Sequence, residues 1–214
     1  MARRLRNTLN LVWKLLLICL VAGLVLGLVN EVTKGPIAEQ ETAAANEARK
    51  QAFPGAESFE ALKKDTENVH DFYSALDKDG KVIGYVASSK ARGYGGDIEV
   101  MVGMDMTGKL AGVVIGANGD FSETAGLGAK VKDPAFAEQF AKVEYNGEPV
   151  EYSAGGGGYR IPAGTLRVEK GDNTEAGGLD AVSGATYSST AVITAFNNTV
   201  AELYKLVSGE GGGK

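Results

Sequence analysis

The residues with the clearest chemical potential lie in one run, Asp180-Ala-Val-Ser183-Gly184-Ala185-Thr186-Tyr187-Ser188-Ser189, entered through Gly177 and Gly178. Downstream, Val192, Phe196, Val200, Leu203 and Val207 recur every three or four residues, one face of an α-helix. Ser188 or Ser189 is the natural N-cap for that helix. Thr186 is then expected just ahead of a helix N-terminus, where unpaired N–H groups and the helix dipole favour a phosphate. Ser183 adds a hydroxyl and Gly184 close access to the backbone. A phosphorylated ligand fits this chemistry, and so does a Ser/Thr-rich loop that merely caps its helix.

A second run, Ser122-Glu123-Thr124-Ala125-Gly126-Leu127-Gly128, places two glycines around a leucine beside an acid and a hydroxyl. Such a loop lets backbone approach a flat ligand closely. Taken alone, it reads equally as a connection between elements.

Together the two runs resemble the motifs of the FMN-binding domain family. That family includes the RnfG-type subunits of the Rnf electron-transport complex and the C-type subunits of the sodium-translocating NADH:quinone reductase. Asp180-x-x-Ser183-Gly184-Ala185-Thr186 is similar to its flavinylation motif, in which the last Thr carries FMN through a phosphoester installed by a flavin transferase. The resemblance therefore implies covalent FMN on Thr186, with Asp180, Ser183, Gly184 and Ala185 around it. Glu123, Thr124, Gly126, Leu127 and Gly128 match the segment that lines the isoalloxazine ring, with Ala125 where proline is usual. The motifs follow the family's order, roughly 55 residues apart.

The rest of the chain must position these residues. A net charge of −5 over 214 residues, without a basic stripe, argues against a nucleic-acid partner. One cysteine, Cys19, excludes internal disulfides, iron–sulfur clusters and c-type haem. One histidine, His70, makes a His-based metal site a poor expectation. Redox chemistry would have to come from an organic cofactor.

Residues 11–29 are apolar apart from Lys14, about 28 Å as a helix and close to the hydrocarbon thickness of a bilayer. A cleaved signal peptide competes, but the run is long and no clear small-x-small cleavage site follows. Arg3, Arg4 and Arg6 precede it, so the positive-inside tendency places residues 1–10 in the cytoplasm and the large domain outside. An alanine-rich helix with Pro36 in its first turn is expected next, ending at Pro54-Gly55. The expected organisation is a cytoplasmic terminus at 1–10 and a transmembrane helix at 11–29. A helical stalk at 30–54, an extracytoplasmic FMN-binding domain at 55–208 and a flexible tail at 209–214 complete it.

Within the domain, residues 72–76 and 81–88 flank the turn Asp77-Lys-Asp-Gly80, and Ile98, Val100, Val102 and Met104 alternate as in a half-buried strand. Residues 110–115 continue an antiparallel meander. Asp133-Pro134 starts a short helix with Phe136 and Phe140 on one face. Asn146-Gly147 suggests a hairpin between 143–145 and 150–152, and 159–161 and 166–168 are further strand candidates. Tyr187 could touch a bound ring, but an aromatic beside a helix start is more often core, and the core is its expected place. The fold class is α+β: an antiparallel sheet with packed helices behind one N-terminal transmembrane helix.

The resemblance as a whole implies a membrane-anchored flavoprotein at the inner membrane. It would carry electrons among the other membrane and redox subunits of an Rnf-type complex coupling ferredoxin–NAD electron transfer to Na+ or H+ export. Its maturation would need a flavin transferase, and its anchor would contact membrane lipid. Two alternatives stand beside it: a component like the C-type member of the quinone reductase, and a flavin-free membrane-anchored scaffold.

Overall fold

The computed structural model describes residues 2–64, 66–117, 121–141, 143–145, 158–160, 166–168 and 178–209. The chain divides into two compact units, Met1–Thr42 and Ala43–Lys214. The first helix, α1 (Ala2–Ala52), enters both. In the first unit it is long and apolar enough to cross a membrane, and it exposes Trp13, Leu16, Leu20, Leu24 and Leu28. Pro36 lies inside this continuous helix rather than in the first turn of a separate one. The preceding residue is Gly35, which has no Cβ to meet the proline ring, so one of the contacts that disfavour helix before a proline is absent.

The second unit is built on a five-stranded antiparallel sheet in the order β1 (Ser58–Ala61), β2 (Val69–Leu76), β3 (Val82–Arg92), β4 (Asp97–Asp105), β5 (Leu110–Ile115). The short edge strand β1 carries no alternation long enough to be read from sequence. Asp77 shapes the β2–β3 turn by accepting from the N–H groups of Asp79 and Lys81, both at 2.9 Å.

β4 is not the half-buried strand expected, because both of its faces are covered. Ile98, Val100, Val102 and Met104 face α3 (Thr186–Ser208), which packs its Val192, Phe196, Val200 and Leu203 on them. Each such side chain contributes about 1.5–3 kcal/mol on burial. On the opposite face Met101 meets Ala48, Ala52 and Phe53 from the end of α1. Gly84, Gly103 and Gly112 form the floor of that contact. A methyl group at Gly103 would overlap the Ala52 carbonyl, and one at Gly112 would sit 2.7 Å from the Gln51 carbonyl. Glycine is used here for close approach of a helix end to a sheet.

A 3-10 helix (Gly128–Lys132) and α2 (Pro134–Ala141) follow β5, and Val131, Phe136 and Phe140 complete the core under α3. Phe140 meets Phe196 with ring centroids 5.0 Å apart. β6 (Val143–Tyr145) pairs with β8 (Leu166–Val168), and β7 (Gly158–Arg160) with β9 (Gly178–Asp180). Thus 143–145 has a later partner than the one expected at 150–152, a segment that lies outside the described residues.

Glu202 of α3 lies 3.5 Å from Lys64 and 2.7 Å from Lys205. Burial pushes its pKa up, but the hydrogen bond from Lys205 and the charges of Lys205 and Lys64 outweigh that and hold it below 4.5. A depressed carboxylate stabilises the fold fully above its ordinary pKa, and that contribution is lost as pH falls through the folded value. Unfolding of the full chain in detergent, followed from about pH 6 to about pH 3, should lose less stability in Glu202→Gln than in the parent. Identical slopes would show that the bridge to Lys64 does not hold α3.

Candidate functional site

α3 begins at Thr186, two residues before the serines expected to cap it. Its N-cap is Ala185, which supplies no side-chain hydrogen bond. Ala at this position leaves a helix about 0.5–2 kcal/mol short of what Ser, Thr, Asn or Asp would give. Ser188 and Ser189 lie on the buried side of the first turn and are engaged elsewhere. The Ser189 hydroxyl donates to the Ala185 carbonyl at 3.0 Å and accepts from the Val182 N–H at 3.1 Å. Ser189 thus shapes the turn ahead of the helix. The first turn closes with the Ser189 N–H donating to the Ala185 carbonyl at 3.0 Å. The amides of Thr186, Tyr187 and Ser188 precede that bond, as at any helix N-terminus.

Gly184 holds a left-handed backbone (φ 76°), which turns the chain into the helix and leaves Ser183 and Thr186 exposed. Asp180 ends β9 opposite Gly158. Tyr187 is 74% exposed, contrary to expectation: it falls off the face defined by Val192 and Phe196.

The second run packs directly against this helix start. The Thr124 carbonyl accepts from the N–H groups of Leu127 (3.2 Å) and Ala129 (3.1 Å), and Gly126 takes φ 78°. The tight turn forms with Ala125 in place of proline. Leu127 stays half exposed, and a methyl at Gly184 would sit 3.4 Å from its Cδ2. Glu123 reaches inward. Its Oε2 accepts from the Ser188 hydroxyl at 2.9 Å and its Oε1 from the Gly95 N–H at 3.2 Å.

That last bond brings in a segment that no motif marks in the sequence, the β3–β4 turn Gly93-Tyr94-Gly95-Gly96. The Gly93 N–H donates to the Gly96 carbonyl at 2.8 Å, and Tyr94 is 75% exposed. A run of three glycines around one aromatic, between two alternating strands, was the available signal. Among the described residues of the second unit, the large apolar side chains left exposed are Tyr94, Met106, Leu127 and Tyr187. Three of these four belong to the segments gathered here.

Beside Thr186 lies a depression of about 420 Å³ lined by Ala91 and Arg92 of β3 and by Thr186, Tyr187, Thr190 and Thr194 of α3. The Arg92 guanidinium pairs with Asp97 at 3.2 Å. Space on this scale suits a cofactor-sized molecule, whose pockets run to about 300–1,000 Å³. Among the described residues no cluster of His, Cys, Asp and Glu could hold a metal ion.

A helix start without a side-chain cap, an exposed threonine, a glycine turn and exposed apolar side chains on the adjoining segments fit a phosphorylated planar ligand. Residues 93–201 match the model of the FMN-binding domain, and the chain belongs to that family. All three segments of the site fall within this stretch. Over its length the chain is similar to the G-type subunit of the proton-translocating ferredoxin:NAD(+) oxidoreductase complex of Clostridium ljungdahlii. The two are 26% identical over 192 residues, covering 90% of this chain and 89% of that one. It is 29% identical over 212 residues to the corresponding G-type subunit of the Na(+)-translocating ferredoxin:NAD(+) oxidoreductase complex of Acetobacterium woodii, covering 91% and 90%. Among solved structures it is similar to NqrC of Shewanella oneidensis, with a TM-score of 0.44 and 22% identity over 74% of this chain and 71% of that one.

Proposed function

We propose that this chain is a membrane-anchored flavoprotein electron carrier with FMN joined by a phosphoester to Thr186. It serves as a redox subunit of an ion-translocating ferredoxin:NAD oxidoreductase complex, beside that complex's other membrane and redox subunits. The observation that carries the reading is the meeting of three separated segments around Thr186: the turn at 93–96, the loop at 122–128 and the start of α3. The similar proteins of Clostridium ljungdahlii and Acetobacterium woodii supply the complex.

Each site residue then has a part. A flavin transferase would present an activated flavin phosphate: the new bond joins Thr186 Oγ1 to phosphorus, the phosphorus–oxygen bond to the donor's leaving group breaks, and the hydroxyl proton goes with that group, so that the chain gains the mass of FMN less one water. Ser188 and Ser189 are less suited, since both are buried, whereas Thr186 is exposed at the first position of α3. The esterified phosphate keeps one negative charge. The uncapped N-terminus of α3 stabilises such a charge by typically ~0.3–1 kcal/mol, and Arg92 supports it from the neighbouring strand. Ser183, Gly184 and Ala185 let the phosphate approach the backbone, and Asp180 orders the turn or holds a metal ion for the transferase. Thr124, Gly126, Leu127 and Gly128, with Tyr94 across from them, provide apolar and backbone surface for the ring. When bound, the flavin supplies the electron-transfer chemistry, and the protein fixes its place and surroundings.

The anchor is residues 11–29, the stalk 30–54, the flavin domain 55–208 on the extracytoplasmic side and the tail 209–214. A tether suits that side of the membrane: a bound cofactor at an effective concentration of about millimolar or more is not lost by dilution. The test is intact mass of the full chain co-expressed with a flavin transferase. An increment of FMN less one water is expected. No increment, with a control protein labelled in the same cells, would remove the covalent attachment and move the scaffold reading ahead.

A further inference from the structure

Glu123 stands in an unusual setting for a carboxylate offered to a cofactor. It is half buried, and both of its oxygens are engaged by the protein. A methyl at Gly93 would overlap its Oε1, and one at Gly128 would overlap its Oε2. A methyl at Gly128 would also lie 2.7 Å from the Ser188 hydroxyl oxygen. The carboxylate therefore fills a space that two glycines, from two different loops, leave open for it. Around it meet the turn bearing Tyr94, the loop bearing Leu127 and the helix turn bearing Thr186.

We infer that Glu123 is a positioning residue rather than a ligand of the ring: a clasp that sets the separation of Tyr94, Leu127 and Thr186 before any cofactor is attached. This rests on the flavoprotein reading for its consequence, though not for its geometry. Both bonds have neutral partners, the Gly95 amide and the Ser188 hydroxyl, so what the clasp needs is two hydrogen bonds of the right geometry and not a charge. Glutamine meets that need. Its amide oxygen accepts from Gly95, and its NH2 donates to the Ser188 hydroxyl oxygen, which is both donor and acceptor. Alanine at 123 removes both bonds. Alanine at 188 removes one and leaves the second to hold the loop alone.

Two readouts on the full chain in detergent test the clasp. The first needs no flavin: hydrogen exchange of the amides of Gly95 and of residues 124–128. Exchange should quicken at both places in Glu123→Ala, and also in Ser188→Ala, although Ser188 touches neither amide. Glu123→Gln should stay within about twofold of the parent, since both contacts are kept, the one to Ser188 with its direction reversed. The second readout is flavin fluorescence and midpoint potential in protein shown by mass to carry the cofactor. A ring released from its aromatic neighbour should brighten several-fold in the two alanine variants, with a shifted potential, and both should return with glutamine.

Glutamine behaving like alanine would mean that the charge is what matters, and would overturn the clasp. Unchanged exchange at Gly95 in Ser188→Ala would overturn it as well, by showing the two bonds to be independent. A parent without the mass increment would instead count against the flavoprotein reading, while the exchange arm still decides the clasp.

Discussion

Thr186→Val should abolish the covalent flavin outright while leaving the fold almost untouched. Valine keeps the shape of threonine and removes the one atom that can form the ester. Thr186 is exposed at the first position of α3, so its side chain supports little of the core. Surface changes of this kind stay within about 0.5 kcal/mol. Intact mass should show no increment on the variant beside a full increment on the parent, and the denatured band should lose its fluorescence under ultraviolet light. Thr186→Ser, which restores a hydroxyl at the same site, should recover the increment at least in part. An increment persisting in Thr186→Val would move the attachment to another exposed hydroxyl of the run, Ser183 or Tyr187, and would undo the role assigned to Thr186.

Phe196→Ala is the change expected to weaken the fold most. Phe196 is fully buried halfway along α3, where it bridges the sheet and the ring of Phe140. Removing a buried phenyl loses its transfer free energy and leaves a cavity that the neighbours fill only in part, a total of about 3–5 kcal/mol. That is a large share of the roughly 5–15 kcal/mol that separates folded from unfolded states in a typical domain. Denaturant unfolding of the full chain in detergent should show the loss as an earlier midpoint. Phe196→Leu, which keeps most of the volume, should recover a good part of it. A loss under about 1 kcal/mol for alanine would mean that α3 is not the helix on which the core depends.

These two predictions fall on one helix, and that helix shows what could be read from the chain alone. Its buried face is legible because Val192, Phe196, Val200, Leu203 and Val207 repeat at helical spacing; the first four are buried and Val207, near the helix end, partly so. Its start lies earlier than expected: Ser188 and Ser189 each satisfy the local chemistry of a cap, yet both are taken by other groups, Ser188 by Glu123 and Ser189 by the Val182 amide, and the helix begins after Ala185. Tyr187 was misjudged by residue type, although its offset from Val192 already placed it off the buried face. The exposed face given to β4 was wrong for a similar reason. Met101 and Gly103 look like the wet side of a strand until the end of α1, some fifty residues earlier, lies across them. Local periodicity reports an element's own faces and is silent about what arrives from elsewhere to cover them.

At the site, both motifs were visible as motifs, and the meeting of Leu127 with Gly184 is what their order in the chain could not show. Periodicity does not mark Tyr94, since a glycine turn with one aromatic has no period, and the glycines clustered around it are its signal. It is the Glu123 bond to Gly95 that brings the turn in.

The order of those segments along the chain bears on biogenesis. The turn at 93–96 is synthesised first, the loop at 122–128 next, and the helix bearing Thr186 after every strand it packs on. A transferase that recognises the assembled surroundings of Thr186, rather than the short run of sequence around it, would find nothing to modify in a nascent or misfolded chain. Attachment would then act as a checkpoint, so that a chain carrying flavin has already passed inspection for its tertiary structure.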